Sequence, residues 1–573
     1  MAPATSLEKP QGEEKWVCDS SVDHKGRIPD RSATGGWRAS LFIIVIEFGE
    51  RLSYFGLATN LIMYLTKELH EDLKTAAKNV NYWNGVTSMM PLVGGFVADA
   101  VLGRFFTVVI SSLVYIAGLT LLSLSQLVPR LKPCDAAACG GGRSMRVHEV
   151  IFFLAIYLIS VGTGGHKPSL ESFGADQFDD NHAEERKRKM SYFNWWNFAL
   201  CGGLLFGVTV IPYAHDAVGW WLVDVVLTAT MCFSLVVFVA GKTFYRYRAP
   251  VGSPFTPMVQ VVASALAKRG LPLPSDDGEL YEVPKTEQSS RRLLCHTNKL
   301  RFLDKAAIIE HKDDAAAFAV EKSNPWRLAT VTQVEELKLI IGIVPIWLTA
   351  LPFGIAMSQS STFFIKQASV MDRKLGGFEI PPASVFALGA VGMLITVTLY
   401  DKLLEPAVRR ATGQERGVSI LKRIGVGMTL SAAAMAAAAL VERRRLTATA
   451  PMTVFWLVPQ YMAMGLGDGF ALVGLQEYFY EQVPDGMRSL GIGLYLSIFG
   501  VASFLSSLLI TAVDRATTWF ARDLNGSRLD SFYWLVAALN AVNICVFVCI
   551  ARSYSYKRVQ SKVAVVDSPE ADA

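Results

Sequence analysis

Long apolar runs alternate with short polar segments along this chain. Twelve runs stand out, at roughly 37–65, 81–102, 105–126, 149–173, 191–213, 219–241, 334–357, 379–401, 418–441, 452–479, 488–513 and 531–551. Each is close to, or longer than, the roughly 20 residues with which an α-helix crosses a bilayer. One long polar insertion, 242–333, divides them six and six. The pattern predicts an all-α membrane protein: helical halves over 37–241 and 334–552, a linker over 242–333, a disordered N-terminal tail over 1–36 and a C-terminal tail over 553–573. Within the linker, PFTPMVQVVASALAKRG predicts a short amphipathic helix on the membrane surface, and His296 to Ile309 a docked segment.

The first run contains LFIIVIEFGERLSYFG, with Glu47, Glu50 and Arg51 in its middle. Spacings of three and four residues place all three on one helix face, and Tyr54 continues that stripe. A charge at mid-membrane costs roughly 2.5–3.5 kcal/mol on insertion scales, so such groups face a watery cavity and one another. Two acids beside one base leave an acid in excess, which can carry a proton. A Glu–Arg bridge that only pins helices together would fit the same residues.

Later runs add fewer charges. The second ends in GGFVADAVLGRFFT, where Asp99, Gly103 and Arg104 mark a tight turn in which Asp99 can cap or salt-bridge a neighbouring helix; the segment resembles the loop signature of the major facilitator superfamily, and that resemblance implies a role in holding one conformational state. The fourth reads IFFLAIYLISVGTGGHKPSLESFGADQFDD. Its glycines and Pro168 predict a break or kink, beside which Lys167 would line a cavity rather than snorkel. In SYFNWWNF the Trp195–Trp196 pair resembles an interfacial belt. The seventh run has kinking prolines at 345 and 352, and Met357 and Gln359 are its candidate cavity contacts. The tenth holds Asp468, open between substrate contact and helix-bundle hydrogen bonding, and Glu477, read as a cavity acid.

At 573 residues, 51% hydrophobic and 18% charged, the composition excludes an ordinary soluble protein. The net charge of +5 sits in loops and argues for topology, not nucleic-acid binding. Basic runs after the fourth span, at Lys402 to Arg416 and at Lys557 to Lys562, place both termini and the linker in the cytosol; Arg443 to Arg445 dissents. Residues 1–36 lack a signal peptide's apolar core. The eight cysteines show no metal spacing. Cys201, Cys232, Cys545 and Cys549 read as small core residues, Cys134 and Cys139 could pair if their loop is extracytosolic, and Asn525-Gly-Ser527 is a weak glycosylation match. No metal cluster, nucleophile elbow or phosphate loop suggests an enzyme, and no cofactor is implied beyond protons.

Glu47-Phe-Gly-Glu50-Arg51, ADAVLGRFFT, GTGGHKPSLESFGADQFDD, FNWWNF, NPWRLATVTQVEELK and LQEYFYEQVPDGMRSLG together resemble the plant nitrate/peptide transporter family, most closely its fifth subfamily. That family belongs to the proton-dependent oligopeptide transporters of the major facilitator superfamily. The resemblance covers roughly 37–555 and implies two six-helix bundles around a central site, alternating access and proton symport. It assigns proton coupling to Glu47, Glu50 and Arg51, makes Lys167 their partner, and carries Glu477 over as a pocket acid. Ala58 stands where peptide transporters place a basic residue for the peptide carboxylate, and Met357 where a nitrate-transporting relative has a histidine. The implied substrate is a small anionic or zwitterionic solute (nitrate, peptide, plant hormone or related metabolite), with protons and membrane lipid as the other partners. Plasma and vacuolar membranes both suit the chain. The alternative function is a transceptor, a transporter-like sensor signalling through the linker.

Overall fold

A computed structural model describes residues 15–17, 19, 21–128, 143–179, 182–250, 252–253, 255–273, 280–282, 294–310, 322–412, 418–483 and 488–554. Cys134 and Cys139 lie outside these residues. The described chain is almost entirely helical and forms two compact units.

The larger unit holds residues 1–252, 347–478 and 492–549. Its first half contributes α1 (Gly36–Lys67), α2 (Leu73–Val97), α3 (Arg104–Leu127), α4 (Arg143–Ala175), α5 (Ala183–Val218) and α6 (Trp220–Ala240). Ten helices among the described residues are long and apolar enough to cross a membrane. The 32-residue α1 is not among them, because three ionisable side chains occupy its centre, but it is long enough at about 1.5 Å per residue. The other long exception, α13 below, is diluted by glycines and Asp468.

Several expectations need correction here. First, α4 runs unbroken past Gly162–Pro168. Its glycines serve close packing instead: a Cβ on Gly94 of α2 would collide with the Gly164 carbonyl, and Gly162 presses on Tyr115 of α3. The Gly164 carbonyl is also the group that Pro168 leaves without its helical donor. Second, the tail is ordered from residue 21 to α1. Val22 pairs with Tyr247, and Arg31 reaches Asp179 at 3.0 Å and Glu185 at 2.8 Å. α2 also begins eight residues before the predicted span, because its polar first turns find partners: Lys74 meets Asp514 at 3.0 Å and Asn81 meets Ser506 at 3.1 Å.

After the polar insertion, the chain forms α7 (Phe255–Ala267), α8 (Val331–Ser360), α9 (Phe363–Ser369), a two-residue hairpin of β1 (Lys374–Leu375) and β2 (Phe378–Glu379), α10 (Ala387–Leu399), α11 (Glu405–Thr412), α12 (Ile420–Thr447), α13 (Val458–Gln482), α14 (Arg488–Ala516) and α15 (Leu529–Ser553). Cys201, Cys545 and Cys549 face outward and Cys232 is half-buried, so they are not core residues; a thiol is apolar enough for a hydrocarbon-facing position. The dissenting arginines are explained locally. Arg445 forks onto buried Glu442 at 2.8 Å and donates to Asn525 at 2.8 Å, and Arg444 lies 4.1 Å over the Trp456 ring. Asn525 is therefore tied down within its sequon, and Ser527 is buried.

The smaller unit holds residues 253–346, 479–491 and 550–573. In it α7 buries Val261 and Ala265 against Leu303, Ala306 and Val334, leaving Phe255, Val259 and Leu266 exposed. The predicted docked segment contains a 3-10 turn, Arg301–Ala307, fixed to the start of α8. There the buried Lys338 ammonium meets Asp304 at 2.6 Å, Glu335 at 2.8 Å and the Thr297 carbonyl at 2.8 Å. His296 faces the other Asp304 oxygen at 3.2 Å.

Candidate functional site

The stripe on α1 becomes a buried charge cluster. Glu47, Glu50 and Arg51 are each at most 3% exposed, in a helix that is mostly apolar. Arg51 Nε lies 3.2 Å from Glu47 Oε1 one turn back, and Nη2 lies 2.5 Å from Glu50 Oε2. The hydroxyl of Thr163 on α4 donates to the other Glu50 oxygen at 3.4 Å. Gly203 lets α5 approach the Arg51 Cβ closely. Tyr54 extends the cluster as the stripe predicts: its ring lies 5.6 Å from the guanidinium and stacks on Trp83 at 5.8 Å.

Lys167 stands half-buried on α4, one turn past Thr163. Among the described residues no carboxylate comes within 4.0 Å of it, so Lys167 forms no direct salt bridge there. Arg51 already occupies both acids. Glu171 lies one helical turn further along α4. Glu171 is exposed and was not singled out from sequence, although its spacing of four from Lys167 was a legible signal. Buried His166, with no hydrogen-bond partner on either ring nitrogen among the described residues, was missed as well.

Asp99, Gly103 and Arg104 form the turn between α2 and α3. A π-helical segment, Ala98–Leu102, ends at Gly103, whose φ of +77° suits glycine. Arg104 then bridges Asp99 at 3.3 Å and Asp176 at 2.5 Å. The chain of charges continues through Arg248, 3.4 Å from Asp176 and 2.8 Å from Asp19. Burial raises the Asp176 carboxyl above its usual range against the pull of Arg104 and Arg248. Asp19 goes the other way: burial would raise it, but the Ser21 hydroxyl and amide together with Arg248 outweigh that and hold it low.

The second-half candidates occupy other roles. Gln359 is fully buried and donates to Ser506 at 3.1 Å, the hydroxyl that also accepts from Asn81. It therefore belongs to a contact among α2, α8 and α14 and not to a cavity wall. Met357 is half-buried, and its carbonyl accepts from Ser360 at 2.7 Å. Glu477 is 38% exposed and lies 3.6 Å from Arg423, which stacks 4.0 Å from the Tyr400 ring. Asp468 is the more isolated acid. It has one carboxylate oxygen without a hydrogen-bond partner and no cation within 4.0 Å among the described residues. Trp196 is buried, whereas Trp195 is 54% exposed, as a belt residue would be.

A buried acid–base cluster inside a bundle of long apolar helices fits a membrane transporter. A profile of the POT family matches residues 105–526, and this chain belongs to that family. Among curated relatives it is 59% identical over 557 residues to Protein NRT1/PTR FAMILY 5.6 of Arabidopsis thaliana, covering 96% of each chain. It is 57% identical over 570 residues to Protein NRT1/PTR FAMILY 5.7 of the same plant, covering 97% of this chain and 94% of that one. The fold matches the crystal structure of the POT family transporter PepTSo with a TM-score of 0.70 at 19% identity, covering 90% of this chain and 98% of the other. The architecture is that of the major facilitator superfamily, and the relatives numbered 5.6 and 5.7 support placement in the fifth plant subfamily.

Proposed function

We propose that the protein is a proton-coupled symporter that moves a small anionic or zwitterionic solute by alternating access. The carrying observation is the Glu47–Arg51–Glu50 cluster, with Lys167 on α4 held by no carboxylate within 4.0 Å among the described residues. With both acids ionised and both bases charged, these four groups sum to zero. Adding one proton to Glu47 or Glu50 gives the cavity a surplus positive charge, which a monovalent anion or the carboxylate of a zwitterion neutralises. Proton and solute then favour each other's binding, with reciprocal coupling typically of about 1–3 kcal/mol. Neutralising the cluster also removes the charges that would resist closing the helices around it.

In this reading Asp99, Gly103 and Arg104 hold one conformational state. Both termini and the linker face the cytosol, and the host membrane is plasma or vacuolar. Ala58 and Met357 leave the pocket without the basic residue and the histidine expected for peptide and for nitrate. A substrate panel in proteoliposomes under an imposed inward proton gradient tests the proposal. Uptake of at least one anionic or zwitterionic solute should collapse when a protonophore dissipates the gradient. Binding without proton-driven accumulation across the panel would favour the transceptor instead.

A further inference from the structure

On the face of α1 turned away from Glu47 and Glu50 lies a groove of about 730 Å³ between α1, α5 and α6. Trp37, Leu41, Ile44, Val45 and Phe48 line its α1 side, with Phe198 and Phe233 opposite. Leu41, Phe198 and Phe233 are 58%, 69% and 65% exposed, so no described segment of this chain covers them. From Trp37 to Phe48 the groove climbs about 16 Å at 1.5 Å per residue. That is about half of a 30 Å hydrocarbon core, or one leaflet.

Its lower end is basic. Gly202 of α5 meets Phe48, and Gly207 meets Phe55, so α5 runs parallel to α1 and its first turn reaches about 10 Å further out than that of α1. Two and three helical turns before Trp195 and Phe198, on the same face of α5, stand Arg188 and Lys187. Arg38 follows Trp37 at the start of α1. All three are exposed. Glu184 lies 3.4 Å from Arg188 but is itself 74% exposed, leaving the cluster net positive. Trp37 and Trp195 mark the level where aromatic side chains sit between hydrocarbon and headgroups.

We propose that this groove binds an anionic phospholipid of the leaflet that meets the start of α1, with one acyl chain along Leu41–Phe48 and the phosphate on Arg38, Lys187 and Arg188. The apolar length sets the chain and the cationic rim selects the headgroup. Since Phe48 lies between Glu47 and Gly49 on the same helix, an occupied groove would also brace the segment that carries the acid–base cluster.

The test is native mass spectrometry of the full chain, released from nanodiscs of equal phosphatidylglycerol and phosphatidylcholine. Wild type should retain phosphatidylglycerol preferentially, and R38Q/K187Q/R188Q should lose that preference by about tenfold or more. F198A, which removes an apolar wall but no charge, should weaken retention of both lipids. Equal retention of the two lipids by wild type, or an unchanged preference in the triple variant, would overturn the proposal. So would a dimer that F198A dissociates, because the groove would then seat a second copy.

Discussion

Arg51 and Glu50 are adjacent in sequence, yet their side chains close a buried ion pair at 2.5 Å. Neighbouring helical residues point about 100° apart, so this contact satisfies charge without hydrogen-bond alignment, and Glu50 Oε2 and Arg51 Nη2 have no hydrogen-bond partner. Glu50 is thus held by attraction more than by geometry, an attraction that a proton would abolish. Glu47 sits one turn back with its own 3.2 Å contact and keeps Arg51 neutralised meanwhile.

Glu50→Gln should therefore reduce proton-driven uptake to background. The protein should still fold, because Glu47 continues to compensate Arg51. Uptake in proteoliposomes with and without a pH gradient gives the comparison; gradient-driven accumulation by the Gln variant would remove Glu50 from coupling. Arg51→Ala should be far more damaging, since uncompensating a buried pair costs about 3–5 kcal/mol. A drop in thermal stability separates the two variants.

Lys167 contributes a charge without a fixed partner, so its removal should affect transport more than folding. Lys167→Gln is expected to lose driven uptake while its melting temperature stays within a few degrees of wild type. The swap Glu47→Lys with Lys167→Glu should recover folding more than flux. Wild-type uptake by Lys167→Gln would overturn its role.

The first-half charges were legible because an apolar run makes each ionisable residue conspicuous, and helix spacing alone puts Glu47, Glu50, Arg51 and Tyr54 on one face. What spacing cannot show is which partner each charge takes. Arg51 satisfies both acids, which leaves Lys167 apart, and Arg423 takes Glu477, whereas Asp468 has no cation within 4.0 Å among the described residues. Gln359 looked like a cavity contact because polar residues in spans often are, but Ser506, some 150 residues away in sequence, binds it. The α4 break failed for a related reason. Glycine and proline weaken a helix locally, and only the neighbouring α2 and α3 backbones show that these glycines serve close packing.

Arg104 joins Asp99 to Asp176 at the turn between α2 and α3. Arg104→Ala should release α2 from α4 at that end and shift the population of transport states. Cysteine-accessibility labelling of a single-cysteine reporter at Ser172 should speed up several-fold in the variant. Unchanged labelling would make the turn a static brace.

Glu71, in the loop joining α1 to α2, carries a pH dependence of stability. Burial pushes its carboxyl up to about 7 from 4.5, although Asn79 donates to both oxygens at 2.9 and 3.0 Å. Between those values the folded protein binds more protons than the unfolded chain, so stability falls as pH rises through the window. Glu71→Gln should flatten that fall. Melting temperatures of both proteins in detergent from pH 4.5 to 8 provide the check, and parallel curves would refute it.

The last prediction concerns the Lys338 cage in the smaller unit. One buried ammonium is set against Asp304 and Glu335, at 2.6 and 2.8 Å, with His296 on the far side of Asp304. Removing the lysine leaves two buried carboxylates side by side, and losing one partner of a buried ion pair costs about 3–5 kcal/mol. The 3-10 turn at Arg301–Ala307 is tied to α8 through this cage and the small apolar core beneath it. Lys338→Met should therefore loosen residues 294–310 without touching the α1 cluster. The expected signature is faster proteolysis within that segment and faster amide exchange there, with exchange in α1 unchanged. Lys338→Met/Asp304→Asn should recover part of the protection, because the remaining glutamate keeps the Thr297 amide and hydroxyl at 3.0 and 2.7 Å. Equal protection in wild type and Lys338→Met would show that the apolar contacts alone hold the linker.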